Sequence, residues 1–280
     1  MNRSQLPQVL TAALVACGVV LADTPAQATP SPAPVSTADH IEDGGDHYAG
    51  SQIARHEGRH GAPYAGKKRS RTLGNDVSRW QGKVDWAQVV RKGAKFSYIK
   101  ATEGTGYRNR YFAQQYNGAR RAGLIRGAYH FARPDISSGP RQANYFVKHG
   151  GRWSRDGRTL PGMVDLEYNP YDNDLGSCYG RSKSGIVKWI KGFSITYLRR
   201  TGRRPVIYTS TSWWKKCTGN SPAFGKNHRL WIARYNSFIG ELPAGWKKHT
   251  IWQFSDKGKL PGDQNYFNGN MRKLRAVAKG

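Results

Sequence analysis

Between residues 73 and 267 the chain alternates short apolar runs with amphipathic stretches, and that alternation leaves few folds open. The runs are LGNDVS (73–78), FSYIKA (96–101), LIRGAYHF (124–131), GMVDLE (162–167), RPVIYTS (204–210), LWIARY (230–235) and HTIWQFS (249–255), with a weaker eighth at QNYF (264–267). Helical patterns fall between them at 85–92, 111–122, 140–148 and 182–200, and Asp85 is placed to cap the first. Strand–helix alternation of this kind predicts a parallel sheet with crossover helices. Six to eight such units predict a (β/α) barrel. The 207 residues of 74–280 fall short of the ~250 of a regular one. Thin or missing helices are therefore expected in the second half.

The ends of the predicted strands carry the chemistry. Asp76 ends the first run, Glu103 follows the second and His130 lies near the end of the third. Asp165 and Glu167 end the fourth, Tyr208 the fifth and Gln253 the seventh, while Asp263 precedes the eighth. In a parallel barrel the C-terminal strand ends converge on one face, where active sites are built. Five of the twelve acids in 74–280 would gather there. Residues i and i+2 of a strand share a face about 6.6 Å apart, so Asp165 and Glu167 look into the same cleft. Crowded like charges raise at least one pKa, and a carboxylic acid kept protonated near neutral pH is what glycosidic bond cleavage needs. Trp80, Tyr129, Tyr208, Trp231 and Trp252 are the aromatic faces expected to meet sugar rings. His130 reads as a structural histidine and Trp213-Trp214 as packing.

Charge bounds the partner. The whole chain has 45 Lys/Arg against 18 Asp/Glu, and 74–280 alone carries 38 against 12, a balance of +26. An excess of that size predicts an anionic partner, either nucleic acid or an anionic cell envelope. A carboxylate-bound metal, as in a two-metal nuclease, would suit the charge, but no His-rich ligand set accompanies the acids.

The first 28 residues have the layout of a secretory signal peptide: Arg3, a thirteen-residue apolar run at 9–21, and Ala26-Gln27-Ala28 as a cleavage signature. The run is shorter than the ~20 residues of a membrane span, so no membrane span is expected. A lipoprotein site at Cys17 is the competing reading, and the apolar run continues past it. Export leaves Cys178 and Cys217, and a pair in an oxidising compartment is most simply a disulfide. Residues 29–73 open as TPSPAPVSTA and are expected to be a disordered linker or pro-segment. His40, His47, His56 and His60 lie there with Asp39 and Asp46, in no compact metal-ligand spacing.

In order, the motifs GNDVSRWQG (74–82), YIKATEGTGY (98–107), GLIRGAYHFARP (123–134), MVDLEYNP (163–170), VIYTS (206–210), LWIARY (230–235), IWQFS (251–255) and PGDQNYFNG (261–269) resemble family 25 of the glycoside hydrolases, the N-acetylmuramidase-type lysozymes. The cysteine pair resembles that of actinobacterial-type members. The resemblance implies an irregular, flattened, TIM-like (β/α) barrel of roughly eight strands. It implies hydrolysis of the β-1,4 bond between N-acetylmuramic acid and N-acetylglucosamine in peptidoglycan, with net retention. By position, Glu167 matches the general acid and Asp165 the supporting carboxylate of the pair. Asp76 and Asp263 match two further acids of the cleft. Glu103 matches another acid lining it, and Tyr129, Tyr208, Trp231 and Gln253 are the expected substrate contacts. One position departs: Gly262 stands where members often carry a β-branched residue. The expectation is a secreted, monomeric lysozyme without cofactor, acting on peptidoglycan and attracted to anionic wall polymers such as teichoic acid. No nucleic-acid partner is expected; a basic nuclease and a non-catalytic wall-binding domain are the alternatives.

Overall fold

The computed structural model describes residues 47–60, 71–171 and 173–280. The signal peptide expected at 1–28, with Cys17, and the residues His40, Asp39 and Asp46 lie outside them.

Among the described residues nine strands form one sheet: β1 (Thr72–Val77), β2 (Phe96–Glu103), β3 (Tyr107–Arg108), β4 (Ile125–Phe131), β5 (Met163–Asp165), β6 (Val206–Thr209), β7 (Leu230–Ala233), β8 (Ile251–Ser255) and β9 (Asp263–Phe267). The order runs β1-β9-β8-β7-β6-β5-β4-β2-β3, and β1 also pairs with β2, which closes eight strands into a barrel and leaves the two-residue β3 as an appendage. Neighbours from β1 through β2 and β4 to β8 are parallel. Within the closed barrel of the described residues β9 alone runs against its neighbours, pairing antiparallel with both β8 and β1. The eight expected runs all appear, within a few residues of their predicted bounds.

Among the described residues seven α-helices accompany them: α1 (Ser51–Glu57), α2 (Trp86–Arg91), α3 (Phe112–Arg121), α4 (Gly139–Lys148), α5 (Lys183–Thr201), α6 (Thr211–Thr218) and α7 (Met271–Lys279). Asp85 caps α2 as expected, accepting the Gln88 N–H at 3.0 Å. Helix α5 buries Ile186, Trp189, Ile190, Phe193 and Tyr197, a spacing of three and four that lays one stripe against the sheet and α4. No helix separates β7 from β8 or β8 from β9, in line with the thin second half. Cys178 and Cys217 form a disulfide that ties the 3-10 turn Gly176–Cys178 to α6. Its loop of about 40 residues is worth roughly 3–4 kcal/mol in the chain-entropy picture. Among the described residues no helix is long and apolar enough to cross a membrane.

Strand alternation divides the core. Along β5, Met163 faces the barrel interior and Val164 the outer layer, so Asp165 faces inward again. Phe96, Tyr98, Tyr129, Met163, Tyr208, Trp231, Ile251 and Phe267 fill the interior. The outer layer of α4, α5 and α6 includes Trp213 and Trp214, fully buried as packing residues.

One difference from expectation matters for the site. Residues 47–60 lie within the expected disordered linker, yet Ser51–Glu57 is helical, and Ala49 and Ile53 join the apolar cluster of the barrel interior.

Candidate active site

The five acids singled out in the sequence come together at the C-terminal end of the parallel strands. Asp76 stands near the end of β1, Glu103 ends β2, Asp165 ends β5, and Glu167 lies two residues beyond on the same face. Asp263 opens its strand instead of closing it. Because β9 is antiparallel, its first residue sits at the rim where the parallel strands finish, and Asp263 pairs in register with Asp76. Gly262 makes that approach possible. Its φ is +70°, and a Cβ there would lie 1.9 Å from the Asp76 carbonyl oxygen. The departure from the family pattern is thus a steric requirement of this strand pair.

All five acids are buried, none more than 3% exposed, and they divide into two electrostatic groups. Burial raises Glu167 to about 7, although the N–H groups of Gly50, Gln52 and Ile53 act against the rise. Burial, then the Glu167 charge, pushes Asp165 well above the carboxylate range. Among the described residues no N–H or hydroxyl donates to either Asp165 oxygen, and its hydrogen-bonding neighbour is the Glu167 carboxyl. Asp76 is raised to about 7 by burial, against amide donors from Asn265 at 2.7 Å and Gln253 at 3.0 Å. Burial and then Asp76 drive Asp263 up, while the Tyr235 hydroxyl donates to it at 3.1 Å. Glu103 goes the other way. Burial favours its neutral form, but the Lys100 ammonium at 2.6 Å and His47 outweigh that and hold it down at about 2. Tyr171 also donates to Glu103.

The cleft thus holds one carboxylate that stays ionised and four whose neutral forms are favoured by their surroundings. Acids with separated pKa values in one water-poor site can divide proton donation from charge stabilisation. Among the described residues no group of three or more His, Cys, Asp or Glu side chains is placed to hold a metal ion.

The expected substrate contacts fare differently. Gln253 is central: it donates to Asp76 and to the Ala49 carbonyl and accepts from Tyr208 and Tyr235. The hydroxyls of Tyr129 and Tyr208 reach the cleft, the first accepting the Ala49 N–H at 3.4 Å. Trp231 does not offer a free face. Its ring packs against Tyr98 and Tyr208, and its N–H is bonded to Asn265. Trp252 alternates onto the outer layer, where its N–H bonds the Arg234 carbonyl. Both are packing residues, a correction that alternation along β8 explains for Trp252. Trp80 is 59% exposed and lines a cleft of about 690 Å³ with Tyr48, Gln81 and Asp263. His130 is structural as expected, held between Thr102 and Gln142, with burial lowering it to about 4. Sequence reading missed Lys100, Tyr171 and Tyr235. Lys100 had a signal, a lysine inside the otherwise apolar run that ends at Glu103.

A family model, "Glycosyl hydrolases family 25", matches residues 75–263. The chain belongs to family 25 of the glycosyl hydrolases. Its relatives include Lysozyme M1 of Streptomyces globisporus, 46% identical over 210 residues, covering 73% of this chain and 70% of that one. An N,O-diacetylmuramidase of Chalaropsis sp is 48% identical over 211 residues, covering 74% and 99%. Among solved structures, a family 25 lysozyme from Aspergillus fumigatus has a TM-score of 0.73 at 49% identity, over 75% of this chain and all of that one. The bacterial lysozyme from Streptomyces coelicolor has a TM-score of 0.72 at 45% identity, over 76% and 99%. The barrel and the enzyme class implied by the ordered motifs, a lysozyme-type glycoside hydrolase, are those of this family 25 chain.

Proposed function

We propose that this family 25 enzyme is a secreted lysozyme that cleaves the β-1,4 bond between N-acetylmuramic acid and N-acetylglucosamine in peptidoglycan. The observation that carries the reading is the cleft of Asp165 and Glu167: two inward-facing carboxyls two residues apart, both raised, on the rim where the parallel strands finish. Glu167 is the general acid that protonates the leaving oxygen. Asp165, beside it in the cleft, orients the reacting acetamido group, which serves as the internal nucleophile. Asp76 and Asp263 shape the developing charge, and the ionised Glu103 with Lys100 fixes the opposite wall.

The anionic partner has a place as well. A cavity of about 720 Å³ opens at the N-terminal end of β5–β8, lined by Arg203, Arg204, Lys226, Arg229, Lys247 and Lys248 and by no acid. Burial, and then the neighbouring Arg155, push Arg203 below its ordinary pKa. We assign this end to anionic wall polymers such as teichoic acid, with the enzyme acting as a monomer.

Mass spectrometry of fragments released from purified peptidoglycan tests the reading, run on the chain and on the segment-displaced forms described below. Every new reducing end should be muramic acid. Reducing ends on N-acetylglucosamine, or cleavage of nucleic acid with no release of wall fragments, would overturn it.

A further inference from the structure

The acids that should meet a polysaccharide are covered by the chain itself. Residues 47–60 cross the cleft from one wall to the other. At the Glu103 wall, His47 Nδ1 lies 3.1 Å from Glu103 Oε1 and 3.0 Å from the Tyr171 hydroxyl, and Lys100 donates to the His47 carbonyl. In the centre, Gly50 N–H donates to Glu167 Oε1 at 2.9 Å. Gln52 and Ile53 N–H donate to Oε2 at 2.8 and 3.2 Å. At the far wall Arg59 pairs with Asp256, and His60 N–H bonds the Tyr235 carbonyl at 2.6 Å. Ala49 and Ile53, at most 1% exposed, pack onto the apolar interior beneath.

We propose that His47 to Arg59 is an autoinhibitory segment, which blocks the cleft until it is displaced or removed. The inference rests on the assignment of Glu167 and Asp165 as the reacting acids. Two physical effects act together. The segment fills the volume that the sugar rings must enter. It also directs three N–H donors at the two Glu167 oxygens, so that the carboxyl is engaged by the chain where catalysis needs it free to meet a leaving oxygen. The fit is specific at Gly50. With φ at +100°, a Cβ there would sit 1.9 Å from the Tyr235 hydroxyl, 2.6 Å from Gln253 and 2.9 Å from Asp263. Because the segment belongs to the same chain, the blockade is intramolecular, and substrate must compete against an effective concentration on the order of mM.

Two full-length variants test this. Ile53→Asp places a charge in the apolar interior and beside Glu167; Gly50→Val drives a side chain into Tyr235. Both should release the segment. Initial rates of reducing-end release from purified walls should rise roughly tenfold or more over the unsubstituted chain, as the open fraction rises. Hydrogen exchange should show the amides of Gly50, Gln52 and Ile53 protected in the unsubstituted chain and unprotected in both variants, with the barrel strands protected throughout. A peptide of residues 47–59 added to Ile53→Asp should raise KM and leave kcat unchanged. Equal rates for all three chains, with hydrolysis evident, would overturn autoinhibition and leave the hydrolase assignment standing. Release of the segment with the barrel intact but no hydrolysis by either variant would instead overturn the assignment of the acids, and the inference with it.

Discussion

The two ends of the barrel are built by the same strands and differ completely in chemistry. At the C-terminal rim five acids are buried together, four of them raised. At the N-terminal end of β5–β8 six Lys and Arg side chains line a cavity with no acid among them. Buried carboxyls are costly and must be held by the fold, whereas Lys226, Lys247 and Lys248 stay exposed at the open cavity and keep their hydration. The comparison teaches that the +27 of the chain is not spread evenly over its function. Reaction and attraction are assigned to opposite ends, and each should be separately breakable.

The largest effect belongs to the acid end. In the Ile53→Asp chain, Glu167→Gln should remove the proton donor and lower wall hydrolysis by roughly 10²–10⁴-fold, since general acid catalysis is worth about that much. Asp165→Asn should also be severe while sparing binding. A substrate with an excellent leaving group needs less protonation. It should partly rescue Glu167→Gln and leave Asp165→Asn unrescued; the reverse pattern would mean that the two roles are exchanged.

The cation end should answer with a smaller and different change. Replacing the exposed Lys226, Lys247 and Lys248 by Glu should weaken pelleting with intact walls by about tenfold at low salt. Screening should erase the difference well above 0.1 M, where the Debye length is about 10 Å or less. Turnover of a small soluble substrate should not change. Walls stripped of anionic polymers should bind both forms alike, and a deficit that persists on stripped walls would count against the assignment.

Stability against pH is the mildest test and again separates acids by environment. Asp76 and Glu167, at about 7 when folded against about 4 when unfolded, bind more protons in the native state across that interval. Their contribution is fully present below the unfolded value and is lost as pH rises through about 7. Glu103, held at about 2, acts in the opposite sense, and its contribution is lost as pH falls from about 4 through 2. Tm should therefore peak near pH 4–5, and Asp165→Asn should flatten the fall on the neutral side. A Tm that climbs steadily from pH 5 to 7.5 would contradict the raised values.

Much of the acid end was legible because strand alternation is local. The spacing of Asp165 and Glu167 fixes their common face, and strand ends place Asp76 and Glu103 at the same rim. Trp231 and Trp252 were misread as sugar platforms because barrel strands are apolar on both faces. A run such as LWIARY does not announce which aromatic is exposed. Lys100 could be suspected from its place in an apolar run, but its partners Glu103 and His47 depend on how β2 meets the N-terminal segment.

The sequence by itself determined the succession of strands along the chain, the helix stripes and the acid doublet, because each rests on spacing along a few neighbouring residues, and the cysteine pair, because export leaves two cysteines. Tertiary structure alone decided three things. It turned β9 antiparallel, so that Asp263 at a strand start joins Asp76 at a strand end. It gathered the N-terminal cations, drawn from short stretches before separate strands, into one cavity. And it seated residues 47–60 on the acids. That segment has few apolar side chains, and composition marked it as linker. Its main hold is three backbone N–H groups on Glu167, and backbone donors are identical at every non-proline residue, so only the fold that brings the carboxylate to them reveals what they bind.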